Sequence, residues 1–367
     1  MIFLHRSVII SAKNSMSVDQ NKLHELVMKF VTDLGASMHG PNVLIGEQLG
    51  LYKALAASGA LKPNELAEKT GTAERYIREW LSGQAASGYV NYDASTGKYM
   101  MTAEQAFTLA SEDSPVYFPG AFYLVSSVYK DQRKLTEVFR TGEGFPWSDH
   151  HNDLFIGTKK FFKPSYVANL VSSWLPSLDG VIAKLQAGAR VADVGCGQGA
   201  STIIMAKAFP KSKFIGYDVH LESIEAARND AVSQGVTANV DFEVAKAKDY
   251  PGKEFDLVAF FDCLHDMGDP SGAAKHVRES LKIDGTWMIV EPYAKESVQE
   301  NLSPVGRIFY NASSLICVPS SLSQEVKLGL GAQASESAIR KVVQSAGFIT
   351  FRKSAETPFN RVFEARP

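Results

Sequence analysis

Cysteine is scarce in this sequence: only Cys196, Cys263 and Cys317 occur among 367 residues, and no two of them form a Cys-x-x-Cys pair. Such a sparse, odd set argues against a disulfide framework and for a reducing compartment, so we expect a cytoplasmic protein. No stretch is apolar for long enough to cross a bilayer. Neither sign of charge dominates, since 38 basic and 40 acidic side chains give a net charge of −2. This balance offers no electrostatic case for a nucleic acid or membrane partner.

The length exceeds one average domain, and a hydrophobic content of 45% is typical of folded globular proteins. The first stretch, residues 1–18, carries Arg6 and Lys13 but no acidic residue. We interpret it as a disordered or targeting leader, with a mitochondrial leader as the alternative to a purely cytoplasmic protein.

Residues 19–110 have helical periodicity followed by a short hairpin pattern. Leu23, Leu26, Phe30 and Leu34 recur at three- to four-residue spacing, which predicts an amphipathic helix. Two short helices and the hairpin "YVNYDASTGKYMMT" follow, the order of a winged helix. Acidic side chains outnumber basic ones here, whereas a DNA-binding surface must neutralise phosphate. We therefore predict a dimerisation domain.

Residues 111–188 form a predicted helical bridge that contributes to a substrate pocket. Its segment "GEGFPWSDHHNDLF" brings two adjacent histidines together with Asp149 and Asp153. Adjacent histidines rarely bind one ion together, and no further ligand stands at a suitable spacing. We predict a loop near the domain junction, and no metal site.

From residue 189 to 367 strands and helices alternate. The strand patterns are "RVADV", "KFIGYDV", "VDFEVA", "EFDLVAFFD" and "TWMIVEP", and a helix that ends at Gly285 precedes the last of them. This alternation predicts an α/β fold, a Rossmann-like doubly wound parallel sheet with ligands at the carboxyl ends of the strands. The closing segment predicts an antiparallel hairpin at the sheet edge.

The stretch "VADVGCGQGAST" is a glycine-rich loop between a strand and a helix, which permits close approach of a ligand. It also fits a dinucleotide-binding pattern, so the glycines alone do not select the ligand. Two acidic residues favour a ligand other than a dinucleotide. Asp193 suits a cationic amino group better than a pyrophosphate, and Asp218 is placed to accept hydrogen bonds from ribose hydroxyls.

These residues resemble the D-x-G-x-G-x-G signature of class I S-adenosylmethionine-dependent methyltransferases. With the winged-helix-like front, "GFPW", "DCLHDMGDP" and "MIVEP" are similar to small-molecule O-methyltransferases that dimerise through an N-terminal winged helix. They are also similar to a bacterial-type family of unassigned substrate. The resemblance implies S-adenosyl-L-methionine as cofactor, a small-molecule acceptor and a homodimer.

The resemblance also implies which residues hold the cofactor. The glycine loop would bind the methionine part, Asp218 the ribose and the segment "VAKAKDYP" the adenine. Many relatives have an acid at the position of Lys246, so this sequence departs from the pattern there. The implied cofactor set is Asp193, Gly195, Cys196, Gly197, Gly199, Asp218, Val219, Lys246, Ala247, Asp262 and Cys263.

A lone histidine follows the strand "EFDLVAFF". "HDMGD" resembles the H-D-W-S-D run of plant-type O-methyltransferases, which implies that His265 is the general base and that Glu291 orients it. The alignment places Gln333, with Glu336 nearby, where that group has a second acid. The alternative is a plain strand-to-helix connection in which His265 caps backbone groups.

Residues 292–324 are too long for an ordinary connection and are expected to form a lid or pocket wall. Candidate substrate neighbours in this insertion are Arg307, Tyr310, Ser314 and Cys317. A surface excursion or a dimer contact is the alternative for each.

The combined hypothesis is methyl transfer from S-adenosylmethionine to a small molecule, at a hydroxyl oxygen with His265 as base. Two alternatives stay open: an NAD(P)-dependent oxidoreductase that uses the same loop, and a ligand-sensing regulator that uses the winged helix. Methylation of a protein or nucleic acid lacks a supporting basic groove.

Overall fold

The computed structural model describes residues 18–367, so most of the predicted leader lies outside the described residues. The N-terminal part is α-helical, with one two-stranded hairpin. Its helices are α1 (Gln20–Gln48), α2 (Leu51–Ser58), α3 (Pro63–Thr70), α4 (Glu74–Ala86) and α5 (Ala103–Leu109), and its strands are β1 (Asn91–Asp93) and β2 (Lys98–Met100). This order matches the predicted winged helix.

The winged-helix part has its own apolar core, to which α2, α3 and α4 contribute. Leu51, Leu55, Leu66 and Leu81 are completely buried there. The first half of α1 behaves differently, because the apolar side chains that suggested an amphipathic helix are exposed. Phe30 and Leu26 are each 64% exposed. The predicted helix is present, but its apolar face does not pack on its own chain.

Two long helices connect the winged-helix part to the sheet. They are α6 (Phe122–Thr141) and α7 (Asp153–Asn169), and α7 continues into a single π-helical turn, Leu170–Trp174, before α8 (Val181–Ala187). Gly157 of α7 lies so close to α6 that an added Cβ would be 2.6 Å from the Leu124 backbone nitrogen. This contact holds α7 against α6, and α7 forms one side of the site described below.

A seven-stranded sheet forms the C-terminal part, in the order β5-β4-β3-β6-β7-β9-β8. The strands β3 to β7 are parallel, and β9 is antiparallel to both of its neighbours. The predicted closing hairpin is therefore present, with β8 at the edge. The strand bounds are β3 Arg190–Val194, β4 Lys213–Asp218, β5 Val240–Val244, β6 Phe255–Phe261, β7 Leu281–Pro292, β8 Thr350–Glu356 and β9 Asn360–Arg366.

Helices cover both faces of the sheet, as a doubly wound fold requires. They are α9 (Ala200–Ala208), α10 (Leu221–Ser233), α11 (Pro270–Ser280) and α14 (Glu336–Ser345). Two cores result: along β7, Trp287 and Ile289 face one of them while Met288 and Val290 face the other. The insertion after β7 contains α12 (Pro304–Ala312), a π-helical turn (Ser313–Cys317) and α13 (Val318–Leu322). The predicted α/β architecture is confirmed.

One predicted boundary is wrong. The helix expected to end at Gly285 ends at Ser280, because Leu281 already pairs with Phe255 of β6. No proline or glycine stands between Ser280 and Asp284 to mark the end of the helix. The pairing of Leu281 with β6 therefore decides where the strand begins. Within residues 18–367, no helix combines the length and the apolar character that crossing a membrane requires.

Two glycine substitutions should change the free energy of unfolding in opposite directions, one at the contact between α6 and α7 and one away from any neighbour. Gly157→Ala should lower stability by about 1–3 kcal/mol, since the added Cβ meets the α6 backbone. Gly83→Ala in α4 is the matched control, because an added Cβ there has no neighbour within 4 Å. It should raise stability by about 0.5–1 kcal/mol. Urea unfolding of both variants measures this, and a stabilising Gly157→Ala would contradict the close packing of α7.

Candidate active site

A cavity of about 520 Å³ lies at the carboxyl ends of β3, β4 and β6. Its floor consists of the glycine loop and the segments that follow β4, β5 and β6, and α7 and α13 form its sides. This is the edge at which a doubly wound sheet binds ligands. Lining residues that the sequence predicted are Gly195, Cys196, Gly197, Asp218, Val219, Lys246, Ala247, Asp262 and Cys263.

The glycine loop adopts backbone conformations that favour glycine. Gly195, Gly197 and Gly199 have φ angles of 75°, 51° and 77°. An added Cβ on Gly195 would lie 2.7 Å from the Cys263 sulfur, and one on Gly199 would lie 2.7 Å from the Phe242 ring. The loop therefore packs closely against its surroundings, and its backbone borders the cavity.

Asp193 is completely buried beneath this loop. Its Oδ2 accepts hydrogen bonds of 2.6 Å from the hydroxyls of Ser201 and Thr202, while its Oδ1 has no partner. Burial raises the pKa of Asp193 to about 6, against the opposing effect of the two hydroxyls. A buried carboxylate oxygen without a donor is costly, and it fits a ligand that carries a cationic amino group. The residues present thus fit the methionine end of S-adenosylmethionine.

Asp218 ends β4 and stabilises the loop from the other side. Its Oδ2 accepts the Gly197 N–H at 2.8 Å, and its Oδ1 accepts the His220 N–H at 2.9 Å. Burial raises the pKa of Asp218. His220, which the sequence analysis did not single out, lines the cavity and stacks on Phe155 of α7 at 4.0 Å between ring centroids.

Asp262 follows β6 with a φ of 51°, an uncommon conformation for a residue other than glycine. Tyr166 donates its hydroxyl hydrogen to one carboxylate oxygen at 3.1 Å, and Asn360 donates its amide to the other at 2.7 Å. Burial raises the pKa of Asp262 well above its ordinary value. Sequence reasoning missed Tyr166 and Asn360, since both are about a hundred residues away and neither stands in a motif.

His265 lies in a short 3₁₀ turn after β6 and is only 3% exposed. Its Nδ1 is 2.6 Å from Oε2 of Glu291, whose Oε1 accepts the Leu264 N–H at 3.0 Å. Its Nε2 is 3.1 Å from Oδ1 of Asp266, which lines the cavity. Burial alone would lower the pKa of His265, but the carboxylates of Asp266 and Glu291 outweigh it and raise that pKa well above 6.5.

The other predicted residues differ in their surroundings, and only one of them lies next to His265. Cys317 lies beside His265 and Asp266, with ligand-type atoms of all three within 4.8 Å of one another. Gln333 donates its amide to the Tyr293 carbonyl at 3.0 Å. Glu336 pairs with Arg340 at 2.8 Å instead of with His265. Arg307 pairs with Asp33 of α1 at 2.9 Å and is well exposed.

Neither Tyr310 nor Ser314 lines the cavity, whereas the end of the insertion does. Ser320, Ser323 and Gln324 border it, and Gln324 donates its amide to the Asp266 carbonyl at 3.0 Å. Ser321 donates its hydroxyl hydrogen to the Met267 carbonyl at 2.9 Å. The insertion thus supplies one wall of the cavity through α13.

The two adjacent histidines in "SDHHND" have separate environments. His150 is buried and bonded to Asp131 through Nδ1 at 3.1 Å, while His151 is half-exposed beside Asp153. They do not converge on one point, consistent with the interpretation of this segment as a loop. The partner of His150 was missed because Asp131 lies in α6, without any spacing signal.

Two segments of the chain match known families. Residues 185–343 match the family described as "Methyltransferase domain", and residues 40–111 match the "Rv2258c-like winged HTH domain". The first range begins just before β3 and ends within α14, so it includes the cavity floor. The second range includes α2 to α5 and the β1–β2 hairpin.

Individual relatives match about a third of this chain. The uncharacterized methyltransferase YcgJ of Bacillus subtilis is 31% identical over 31% of this chain and 45% of its own length. The 27-O-demethylrifamycin SV methyltransferase of Amycolatopsis mediterranei is 30% identical over 34% of this chain and 48% of its own length. The chain thus spans about half the length of these relatives.

The fold as a whole has counterparts among solved structures. Human N-acetylserotonin methyltransferase, solved in complex with SAM, superposes with a TM-score of 0.69 at 18% identity. The superposition covers 96% of this chain and 99% of that one. Residues 185–343 thus match a methyltransferase domain and residues 40–111 an Rv2258c-like winged helix-turn-helix domain, and the superposition shows that the fold of the two parts together is shared.

Proposed function

We propose that this protein transfers a methyl group from S-adenosylmethionine to a hydroxyl oxygen of a small molecule. The observation that carries the proposal is the composition of one cavity. The glycine loop and Asp218 line it together with Asp262, Cys263 and Asp266, which follow β6. A methyl donor held by the loop lies beside the turn that carries His265, which is behind the cavity wall with its Nε2 3.1 Å from the lining residue Asp266.

The residues around the glycine loop would hold the donor. The unpartnered Oδ1 of Asp193 is the acceptor for its amino group, and Asp218 is placed for the ribose. Lys246 and Ala247 line the cavity and are the proposed contacts of the adenine. S-adenosylmethionine supplies an electrophilic methyl group on a sulfonium. The chain's task is then to orient the acceptor in line with that group and to accept its proton.

His265 is the proposed proton acceptor, and Glu291 is its orienting acid. The hydrogen bond between Glu291 and Nδ1 fixes the ring so that Nε2 faces Asp266 and Cys317. An unprotonated Nε2 takes the proton of the attacking hydroxyl. The adjacent carboxylates raise the pKa of His265, so this base form becomes abundant only at a higher pH than for an ordinary histidine.

The side chains that line the cavity indicate which kind of acceptor fits it. Trp147, Phe162, Tyr166 and Phe261 present aromatic rings to the cavity, and Met267 adds a flexible apolar side chain. Such a lining suits a flat, largely apolar small molecule. Acidic side chains outnumber basic ones between residues 19 and 104, so we propose no nucleic-acid partner.

We further propose that the protein is a homodimer through its N-terminal part. Eight apolar side chains between residues 23 and 38 are exposed, and five of them repeat along one face of α1: Leu23, Leu26, Val27, Phe30 and Leu34. An apolar face of this size on a folded monomer is typical of an interaction surface. The three cysteines are free, which supports a cytoplasmic location.

The carboxylate of Asp193 predicts the ligand preference of the site. S-adenosylhomocysteine keeps the amino group and the ribose, so isothermal titration calorimetry should detect its binding. The same measurement should detect no binding of NAD or NADP. Asp193→Asn should weaken binding about 10- to 100-fold, the value of a hydrogen bond to a charged group. Binding should also weaken below about pH 6, because Asp193 is then protonated.

Asp241→Asn is the control, since Asp241 is an exposed aspartate of β5. It should bind S-adenosylhomocysteine as the wild type does. Tight binding of a dinucleotide alone would contradict the proposed function and favour an oxidoreductase.

The ion pairs of His265 predict the pH dependence of methylation. With labelled S-adenosylmethionine and a small-molecule extract, mass spectrometry should find the label on a hydroxyl oxygen. The rate should rise with pH above 6.5, because His265 loses its extra proton only there. Asp266→Asn removes one of the charges that raise this pKa, so its rate should begin to rise at lower pH.

His265→Ala should reduce the rate about 100- to 10,000-fold while S-adenosylhomocysteine still binds. An unchanged rate in this variant would show that His265 belongs to the architecture of the turn and not to the chemistry.

The exposed face of α1 predicts the oligomeric state. Wild-type protein should elute as a dimer in size-exclusion chromatography with light scattering, and a Leu26→Glu, Phe30→Glu double variant should elute as a monomer. Thr32→Glu adds charge on the opposite face of α1 and should remain dimeric. Monomeric wild type at micromolar concentration would contradict the dimer.

A further inference from the structure

Three side chains of the kinds that bind metal ions meet directly behind the cavity wall. They are His265, Asp266 and Cys317, and one ligand atom from each lies within 4.8 Å of the other two. His265 and Asp266 belong to the turn after β6, whereas Cys317 comes from the insertion after β7. The cluster is therefore a product of the tertiary structure, and no motif in the chain indicates it.

The separations within the cluster suit a tetrahedral zinc site. Zn²⁺ binds nitrogen, oxygen and sulfur at about 2.0–2.3 Å, so neighbouring ligand atoms of a tetrahedral site lie about 3.3–3.8 Å apart. Here Nε2 of His265 is 3.1 Å from Oδ1 of Asp266, and no separation in the cluster exceeds 4.8 Å. The atoms therefore need to move by no more than about 1.5 Å to surround one ion.

Glu291 already orients the imidazole as a metal site requires. Its Oε2 lies 2.6 Å from Nδ1 of His265, so Nε2 is the nitrogen directed at the cluster. Histidines that bind a metal almost always donate their other ring N–H to a carboxylate or a carbonyl, which fixes the ring. The negative charges of Glu291 and Asp266 also favour a cation at this point. The cluster thus has both its ligands and the partner that holds one of them.

The thiol is held in place by the segment that follows the insertion. Cys317 ends the π-helical turn Ser313–Cys317, whose first hydroxyl accepts the Ala332 N–H at 3.0 Å. The preceding Gly331 donates its N–H to the His265 carbonyl at 3.3 Å. One short segment therefore connects the π-helical turn to the turn that carries the imidazole. Single π-helical turns are frequently found at functional sites.

The ligand types select the ion. Mg²⁺ and Ca²⁺ prefer oxygen ligands, whereas a set of one thiolate, one imidazole and one carboxylate suits Zn²⁺. Three protein ligands leave a fourth position open, as in zinc sites that exchange ligands. Cys317 is 6% exposed and His265 is 3% exposed, but Asp266 lines the cavity. An ion can therefore reach the cluster from the cavity, past the Asp266 side chain.

We infer that His265, Asp266 and Cys317 form a zinc site, and that Zn²⁺ bound there inhibits methyl transfer by occupying Nε2 of His265. On binding, the thiol proton of Cys317 leaves to solvent and the Nε2 lone pair coordinates the ion. Nε2 is then unable to take the proton of an attacking hydroxyl. The metal site stands by itself, and its inhibitory effect rests on the proposed function.

The first test uses Co²⁺ as a spectroscopic probe of the full chain without any substrate. Co²⁺ occupies zinc sites, and a thiolate ligand gives it a strong charge-transfer absorption in the near ultraviolet. We expect wild-type protein to develop this band with one equivalent of Co²⁺ and to lose it when Zn²⁺ is added. Cys317→Ser should show no band. Cys263→Ser is the matched control and should keep the band, since Cys263 lines the cavity outside the cluster.

The second test measures the rate of labelling with S-adenosylmethionine and a metal-depleted small-molecule extract. Zn²⁺ should lower the rate of the wild type, and a chelator should restore it. For Cys317→Ser, the Zn²⁺ concentration that halves the variant's own zinc-free rate should be about 100-fold higher or more. Loss of a residue that merely supports a metal ligand already costs about 10- to 100-fold in affinity. Thermal unfolding of each variant shows that it is folded.

Three results would overturn the inference: no charge-transfer band in the wild type, the same band in Cys317→Ser, or bound Zn²⁺ that leaves the labelling rate unchanged or raises it. Failure of the proposed function gives a different result, because the zinc-free protein then labels nothing. In that case the inhibition falls with the function, and the cobalt spectrum alone decides whether the metal site exists.

Discussion

Three carboxylates are buried at the carboxyl ends of adjacent strands, and the arrangement of the site depends on the donors that satisfy them. Asp193, Asp262 and Glu291 are 0%, 8% and 1% exposed. A buried charge without partners is costly enough to destabilise the fold, so each needs hydrogen bonds from a specific direction. Ser201 and Thr202 serve the first, Tyr166 and Asn360 the second, and His265 with the Leu264 backbone the third.

These donors come from distant parts of the chain and thereby fix the walls of the cavity relative to its floor. Tyr166 belongs to α7 and Asn360 to β9, so the hydrogen bonds of Asp262 connect the helical bridge to the antiparallel part of the sheet. α7 is in turn held against α6 by the absence of a side chain at Gly157. The same α6 supplies Asp131 to His150.

The two buried imidazoles illustrate how environment sets chemical role. His265 lies between two carboxylates, which raise its pKa, whereas burial dominates for His150 and lowers its pKa. Groups of one residue type thus differ in protonation because their surroundings differ. Here the carboxylates favour the protonated form of His265, whereas burial favours the neutral form of His150.

The sequence by itself determined the architecture and the floor of the site. Strand and helix alternation predicted the doubly wound sheet, and "VADVGCGQGAST" with Asp218 predicted the ligand loop, because these signals are local and periodic. The pairing of His265 with Glu291 was implied by the resemblance to plant-type O-methyltransferases, and the structure has the two side chains in contact. The end of α11 at Ser280, the partners of Asp262, the Asp131–His150 pair and the exposure of α1 were decided only by the tertiary structure. Each of these depends on contacts between distant segments or on which faces remain unpacked, and neither leaves a spacing pattern in the chain.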